Sequence, residues 1–272
     1  MAIDTGEFRQ RQRKMWTSGD WPEVAKTIQP VADELVEKLA IGEGQDVLDN
    51  GTGSGNAALA AAQRGAQVTG SDISPEFFDT ARARAAELGV DIEWVEADAA
   101  DLPFEDDSFD TVTSVFGCMF APVHQQAADE LARVTKPGGS FGVCAWTPEG
   151  LNGQMLGMLF SQLPPPPEGA QPPILWGSED HVRELFDGKN VELSFEKPLA
   201  NMAALGGWET AEDWVAFTEA NLGPVIAAKA QLEPDGNWEE SRAKMLELFE
   251  PFETDGGFAP EAEYLRTVGR VS

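Results

Sequence analysis

The chain contains few of the residues that covalent or metal chemistry usually needs. Its 272 residues include two cysteines, two histidines and a single tyrosine. Two thiols cannot build the disulfide framework of a small secreted domain. Both Cys118 and Cys144 lie in apolar runs that are typical of strands, where a thiol packs as a small hydrophobic group. The sequence therefore predicts neither a disulfide scaffold nor a metal site.

Basic residues are also scarce. Nineteen lysines and arginines stand against 47 aspartates and glutamates, which gives a net charge of -28. Phosphate backbones and anionic lipid headgroups repel a polyanion of this size, so we expect neither nucleic acid nor a membrane surface as a partner. The surplus carboxylates either keep the protein soluble or suit a salty cytoplasm, where ions screen their mutual repulsion.

Long apolar runs are absent as well. Residues 1–14 are polar and charged, without the apolar centre of a signal peptide, and no stretch of about 18 apolar residues occurs. We therefore expect a cytoplasmic protein. With 42% hydrophobic and 24% charged residues, the composition is that of an ordinary globular protein.

Strand and helix patterns alternate through the first half of the chain. Helical spacing covers residues 21–40, 57–64 and 74–88 and recurs at Ala127, Leu131 and Val134, before a stop at 137–139. Strand patterns cover residues 46–49, 67–72, 92–95, 111–116 and 141–146. This alternation predicts an α/β fold with a doubly wound, mostly parallel, Rossmann-like sheet that has helices on both faces.

The pattern changes after Trp146. Prolines at 164–167 and 172–173 indicate an ordered loop insertion, and strand-like runs at 191–195 and 264–271 are expected to pair antiparallel at the sheet edge, making seven strands. The predicted organisation is an N-terminal lid segment (1–20), a cofactor-binding core (21–147), a C-terminal helical and loop cap (148–260, with the strand near 191–195) and a closing strand (261–272).

A glycine-rich turn follows the first predicted strand. Asp49 ends that strand, and Gly51, Gly53 and Gly55 follow it ahead of a helix. Glycines let the backbone approach a ligand closely, and the start of a helix presents unpaired N–H groups. Asp72 ends the second strand, where a carboxylate can accept hydrogen bonds from a ribose diol. These features predict a nucleotide site at the carboxyl edge of the sheet.

The glycine spacing argues against a dinucleotide. The pattern G-x-G-x-x-G would place glycine at position 56, which is Asn56, while Gly55 comes one residue early. The segment 48–56, Leu-Asp-Asn-Gly-Thr-Gly-Ser-Gly-Asn, resembles motif I of the class I S-adenosylmethionine-dependent methyltransferases. Further matches to this family occur at 70–74, 96–104, 108–112 and 131–139. Over about residues 20–147 the chain is similar to the ubiquinone/menaquinone-biosynthesis-type small-molecule methyltransferases.

This resemblance implies S-adenosyl-L-methionine as the cofactor and assigns ten residues to it. They are the loop supports Asp49 and Asn56, the methionine contacts Gly51, Gly53 and Ser54, the ribose ligand Asp72, the adenine contacts Ile73, Asp98 and Ala99, and Val115 after the fourth strand. Asn50 departs from the family, which usually has an apolar residue there. A sulfonium cation is also better tolerated near these carboxylates than a pyrophosphate would be.

Candidates for acceptor chemistry are few. Methyl transfer needs a nucleophile held about 3 Å from the methyl carbon, in line and away from water. His124 follows the fourth strand, either near the methyl group or solvated in a first helical turn, and His181 is expected at the surface. We assign no catalytic residue. Trp16 is a candidate lid residue, or it packs as an ordinary aromatic.

Apolar residues outside the shared motifs are candidates for the acceptor walls, or they belong to the core. They are Phe116, Met119, Phe120, Trp146, Met155, Met158, Phe160, Trp176, Trp208, Trp214 and Phe217. Two segments, 146–150 and 175–177, resemble a recurring subtype of the family.

The sequence thus predicts methyl transfer from S-adenosylmethionine to a small, apolar or aromatic metabolite, with oxygen favoured over nitrogen or carbon as the acceptor atom. One alternative is a catalytically inactive S-adenosylmethionine-binding partner or sensor. Another is an NAD-dependent oxidoreductase, which the glycine spacing disfavours. A homodimer is possible.

Overall fold

The computed structural model describes residues 5–163, 166–203, 207–255 and 257–272. The first four residues of the predicted lid segment lie outside the described residues. Pro164 and Pro165 of the predicted proline-rich loop lie outside them as well.

Helices and strands alternate through the first half. In chain order they are α1 (Thr5–Trp16), α2 (Trp21–Thr27), α3 (Gln29–Lys38), β1 (Asp46–Asn50), α4 (Asn56–Ala62), β2 (Gln67–Asp72), α5 (Phe78–Leu88), β3 (Ile92–Glu96), β4 (Phe109–Val115), α6 (His124–Val134) and β5 (Thr135–Trp146).

The second half is mainly helical until the last strand. It contains α7 (Leu151–Phe160), α8 (Glu179–Leu185), β6 (Val191–Glu196), β7 (Leu199–Asn201), α9 (Ala211–Asn221), α10 (Gly223–Leu232), α11 (Trp238–Phe249), β8 (Glu253–Thr254), β9 (Gly257–Phe258) and β10 (Glu261–Val271). Short 3₁₀ turns lie at Pro75–Phe77, Cys118–Phe120, Pro173–Gly177, Glu233–Asp235 and Glu250–Phe252.

The main sheet has the strand order β3-β2-β1-β4-β5-β10-β6. Strands β1 to β5 pair in parallel, whereas β10 runs antiparallel to both β5 and β6. The predicted doubly wound, seven-stranded sheet and the antiparallel pairing near its edge are therefore confirmed. The short β7 also pairs with β10 and was not predicted.

Three local predictions were wrong. The helix predicted over 21–40 is two helices that meet at Ile28, because Pro30 cannot donate the next helical hydrogen bond but fits the first turn of α3. Helix α6 ends at Val134, before its predicted stop, and β5 begins at once. Residues 137–139 lie in β5, where pairing with β4 shifts register. Cys118 is buried as predicted, but in a 3₁₀ turn.

The cap packs directly on the end of β5. A Cβ on Gly153 would lie 2.0 Å from the carbonyl oxygen of Thr147, and one on Gly177 would lie 2.0 Å from that of Trp146. These contacts leave no room for a side chain, so the segments 146–150 and 175–177 that the sequence singles out touch each other. They fix where α7 begins.

One hydrophobic core extends from the sheet into the cap. It includes Leu48 and Val112 in the central strands and Trp214 and Phe249 in the C-terminal helices. Within the part of the chain that the structure describes, no helix is both long enough and apolar enough to cross a bilayer.

Candidate functional site

The turn after β1 has a backbone that requires glycine. Gly51, Gly53 and Gly55 have φ angles of +74°, +52° and +90°, in the left-handed region that residues with a Cβ rarely adopt. A Cβ on Gly51 would lie 2.7 Å from the Cα of Gly117, so two backbones touch here. We call residues 51–55 the glycine loop.

Asp49 lies beneath the glycine loop and holds it. Its Oδ1 accepts a hydrogen bond from the Thr113 hydroxyl at 2.9 Å. Its Oδ2 accepts from the Thr52 hydroxyl at 2.6 Å and from the backbone N–H of Ala58 at 3.1 Å. Burial raises the pKa of Asp49, while these three donors favour its charged form. The carboxylate thus joins β1, β4 and the start of α4.

Asp72 lies at the end of β2 and is also buried. Its Oδ2 accepts from the backbone N–H of Gly53 at 2.8 Å, and its Oδ1 accepts from that of Ser74 at 2.9 Å. Burial raises the pKa of Asp72 to about 6, although both N–H donors oppose that shift. Each carboxylate oxygen has a second lone pair, so the group can accept further hydrogen bonds from a ligand diol.

Arg84 of α5 ties the glycine loop to its surroundings. Its guanidinium donates to the carbonyl oxygen of Ser54 at 2.8 Å, to Oδ1 of Asn56 at 2.8 Å and to Oε1 of Gln29 at 2.9 Å. Asn56 in turn donates to the carbonyl oxygen of Ala25 at 2.7 Å. Sequence reasoning missed both residues because Arg84 reaches the loop from α5 and Gln29 reaches Arg84 from α3.

All ten predicted cofactor residues line one cleft at the carboxyl edge of the sheet. This glycine-loop cleft has a volume of about 890 Å³ and opens to solvent. The ten residues it brings together are Asp49, Gly51, Gly53, Ser54, Asn56, Asp72, Ile73, Asp98, Ala99 and Val115. Its walls also include residues that the sequence did not assign to the cofactor, namely Gln12, Trp21, Ala25, Ile28, Asn50, Thr52, Ala57, Phe77, Ala97, Gly117 and Ala121.

Helix α1 forms one wall of this cleft. Trp16 packs edge-on against Phe120 and Trp21, with ring centroids 4.5 and 5.4 Å apart. Arg13 forms ion pairs with Glu76 at 2.7 Å and Glu96 at 3.2 Å. Trp16 therefore has packing partners in this state, and a lid movement of this segment stays a prediction.

A second cavity adjoins the glycine-loop cleft. It contains about 610 Å³ of space, part of which is open to solvent, and we call it the aromatic cavity. Five of the described residues line both spaces: Trp16, Trp21, Ile28, Phe116 and Phe120. The remaining walls of the aromatic cavity are Val24, Thr27, Trp146, Asn152, Met155, Leu156, Met202, Trp214, Phe217, Thr218, Leu222 and Pro224.

The candidate acceptor residues divide between this cavity and other parts of the core. Phe116, Phe120, Trp146, Met155, Trp214 and Phe217 line the aromatic cavity. The structure packs the other five candidates into or against the hydrophobic core without bringing them to the cavity walls: Met119, Met158, Phe160, Trp176 and Trp208.

Phe116 lies between the two spaces in an unusual conformation. Its φ angle is +53°, which aromatic residues rarely adopt. Its ring stacks on Trp146, with centroids 3.8 Å apart and planes 11° apart. The fold therefore accepts local backbone strain where the cleft meets the cavity, as is common at functional sites.

The two histidines form a pair away from both spaces. Nδ1 of His124 lies 2.9 Å from Nε2 of His181. His124 is buried, not solvated, and burial lowers its pKa to about 3. His181 is half-buried rather than at the surface as expected, and burial lowers its pKa as well. Neither histidine lines the cleft or the cavity.

Comparison with known proteins identifies the family. Residues 47–139 match the model of a family described as a methyltransferase domain. An uncharacterized protein of Mycobacterium tuberculosis is 39% identical over 272 residues, covering 97% of each chain. A demethylmenaquinone methyltransferase of Clavibacter sepedonicus is 43% identical over 123 residues, covering 45% of each chain.

Solved structures share the fold at low identity. The YcgJ protein of Bacillus subtilis has a TM-score of 0.59 and 20% identity, covering 88% of this chain and 97% of that chain. The [4+2]-cyclase SpnF has a TM-score of 0.57 and 19% identity, covering 89% of this chain and 81% of the cyclase chain. Proteins with this fold catalyse more than one reaction, so the fold alone does not identify the family. The family assignment uses the sequence matches together with the fold. The chain belongs to the class I S-adenosylmethionine-dependent methyltransferases.

Proposed function

We propose that the protein binds S-adenosylmethionine in the glycine-loop cleft and transfers its methyl group to a small, apolar or aromatic metabolite in the aromatic cavity. The family implies the cofactor. The observation that carries the assignment of the acceptor is the wall that the two spaces share: Trp16, Trp21, Phe116 and Phe120 line both the carboxylate-containing cleft and the aromatic cavity.

The residues of the cleft fit this cofactor. The glycine loop brings its backbone to the surface of the cleft and has no room for a side chain there, since a Cβ on Gly53 would lie 2.7 Å from Nε1 of Trp21. Asp72 has lone pairs for the ribose hydroxyls, and Ile73 and Ala99 offer apolar surface to adenine. The side-chain nitrogen of Asn50 is buried and has no hydrogen-bond partner among the described residues. Asn50 lines the cleft, where a polar ligand atom could satisfy this nitrogen.

Binding and positioning are the main tasks of this chain. When bound, S-adenosylmethionine supplies an electrophilic methyl group on a sulfonium. Asp72 orients the nucleoside end, and the glycine loop approaches the methionine end with its backbone. The aromatic side chains that line both spaces reduce the access of water to the transferred methyl group, which favours an aligned displacement at the methyl carbon.

The acceptor atom proposed is a phenolic or enolic oxygen, which binds as the neutral hydroxyl and loses its proton to water as the methyl group is transferred. No titratable side chain is among the described residues that line the aromatic cavity. An alcohol would need a general base there, whereas a phenol or an enol is acidic enough to lose its proton to water. This favours an aromatic or enolic hydroxyl over an aliphatic alcohol.

Methyl transfer can be tested with cofactor labelled in its methyl group. We expect label in at least one member of a panel of small phenols, enols, aromatic amines and thiols, detected by extraction and mass spectrometry. Gly53→Ala should abolish transfer and Gly44→Ala should preserve it. If S-adenosylhomocysteine binds but no panel member is labelled, the inactive binding protein or sensor becomes the better account.

A further inference from the structure

Asn152 is a buried carboxamide whose hydrogen-bonding capacity is almost unused by the protein. It is the second residue of α7, it lines the aromatic cavity, and it is 6% exposed. Among the described residues, its Nδ2 donates only to the sulfur of Met202, at 3.9 Å. A thioether is a weak acceptor, and no described residue donates to Oδ1 of Asn152. Buried amides normally have better partners.

The other polar side chains that line the cavity either already donate their proton to a backbone carbonyl or have only an N–H donor. The hydroxyl of Thr27 donates to the carbonyl oxygen of Val24 at 2.8 Å, and that of Thr218 donates to the carbonyl oxygen of Val215 at 2.8 Å. The tryptophans of the wall have indole N–H groups, which can donate but not accept. Among the described walls, Asn152 therefore stands out as a side chain that can both donate to and accept from a ligand.

The position of Asn152 is fixed by its neighbours. Gly153 and Gly150 both touch Thr147, since a Cβ on them would lie 2.0 Å from its carbonyl oxygen and 2.6 Å from its hydroxyl oxygen. The first turn of α7 therefore has little freedom to move relative to the end of β5. A carboxamide on such a turn is suited to orient a bound molecule.

We propose that Asn152 is the specificity-determining residue of the acceptor cavity. Its carboxamide hydrogen-bonds the single hydroxyl, carbonyl or N–H group of an acceptor that is otherwise apolar and uncharged. The described cavity walls contain no charged side chain that could pair with a fixed charge on the acceptor, and burying an unpaired charge is costly. This proposal rests on the proposed function, because it assigns the acceptor to the aromatic cavity.

Three probes of one shape test the proposal: 2-naphthol, naphthalene and 2-naphthoate. Their binding to the full chain is measured with S-adenosylhomocysteine present, by the quenching of tryptophan fluorescence. In the wild type we expect 2-naphthol to bind about tenfold more tightly than naphthalene, and 2-naphthoate to bind more weakly than 2-naphthol. In Asn152→Leu the affinities for naphthol and naphthalene should differ by no more than about twofold. The control Gln154→Leu, at an exposed position of α7 outside the cavity, should keep the wild-type ratio.

S-adenosylhomocysteine binding is measured first for each variant, which separates this proposal from the proposed function. If the wild type does not bind S-adenosylhomocysteine, the proposed function itself is contradicted. With it intact, an unchanged naphthol-to-naphthalene ratio in Asn152→Leu would overturn the role of Asn152. In the wild type, which raises no question of misfolding, equal binding of naphthoate and naphthol or no binding of any probe would also overturn the proposal.

Discussion

The carboxylate of Asp72 accepts a hydrogen bond from the backbone N–H of Gly53 at 2.8 Å. The end of β2 and the glycine loop after β1 are thus joined directly, and the group proposed to bind ribose also sets the position of the loop. Because burial raises the pKa of Asp72 to about 6, this link titrates close to neutral pH.

Cofactor affinity should therefore depend on pH. Below pH 6 the Asp72 carboxyl gains a proton and loses acceptor capacity, so the affinity for S-adenosylhomocysteine should fall as pH falls from 8 to 5. Calorimetric titrations across this range measure the effect. Asp72→Asn should bind more weakly and with a flatter pH dependence. A wild-type affinity that is constant down to pH 5 would contradict this role.

Gly53→Ala should weaken cofactor binding by more than about tenfold, because its Cβ meets Trp21 and its backbone is left-handed. Gly44→Ala is a matched control: Gly44 has a φ angle of +81°, but nothing lies within 4 Å of an added Cβ. It should cost only about 1 kcal/mol of stability and leave binding unchanged. Equal losses of affinity in both variants would show that the clash between a Cβ at position 53 and Trp21 does not determine cofactor binding.

Arg84→Met should destabilise the fold by about 1–3 kcal/mol, because it leaves the acceptors on Ser54, Asn56 and Gln29 without their donor. The control is Arg82→Met on the same helix, whose exposed guanidinium pairs only weakly with Asp79 at 3.4 Å. It should change stability by less than about 0.5 kcal/mol. Urea unfolding measures both, and equal effects would contradict the assigned role of Arg84.

The histidine pair should make the protein less stable in acid. Burial lowers the pKa of His124 to about 3 in the folded state, so between that value and its ordinary pKa the unfolded chain binds the extra proton. Stability should then decrease as pH falls from about 6.5, by at most about 1.4 kcal/mol per pH unit from this group.

Comparing His124→Gln with the wild type isolates that contribution. Other groups titrate in both proteins, so their effects cancel when the two stabilities are subtracted. Asp72 is one of them, and its protonation changes stability in the opposite direction to that of His124. Chemical unfolding at pH 7, 6 and 5 should give a wild-type curve that falls more steeply than that of the variant. Parallel curves would mean that His124 does not titrate on unfolding.

Much of the site could be predicted because it follows the ends of consecutive parallel strands. Asp49, the glycine loop and Asp72 are local in sequence, and the sheet order brings them together. The break at Ile28 was not predicted, but the sequence contains a signal for it in Pro30. Arg84 and Asn152 could not be predicted, because their importance comes from contacts with residues that are distant in the chain.

The His124–His181 contact shows the same limit. The sequence left His124 either near the methyl group or solvated, and it placed His181 at the surface. The packing of α6 against α8 instead buries His124 and half-buries His181. The placement of α8 depends in turn on how residues 173–177 pack on the end of β5. Cap geometry of this kind has no local pattern in the sequence.

The most direct test of the account is a calorimetric titration with S-adenosylmethionine, S-adenosylhomocysteine and NAD. It compares the wild type with Asp72→Ala and with Asp79→Ala, whose carboxylate is exposed on α5 and lies outside the cleft. We predict micromolar binding of the first two ligands, about 10 μM or tighter, with no binding of NAD. Asp79→Ala should keep this binding and Asp72→Ala should lose it. Binding of NAD alone, or equal affinities in both variants, would contradict the assignment of the glycine-loop cleft.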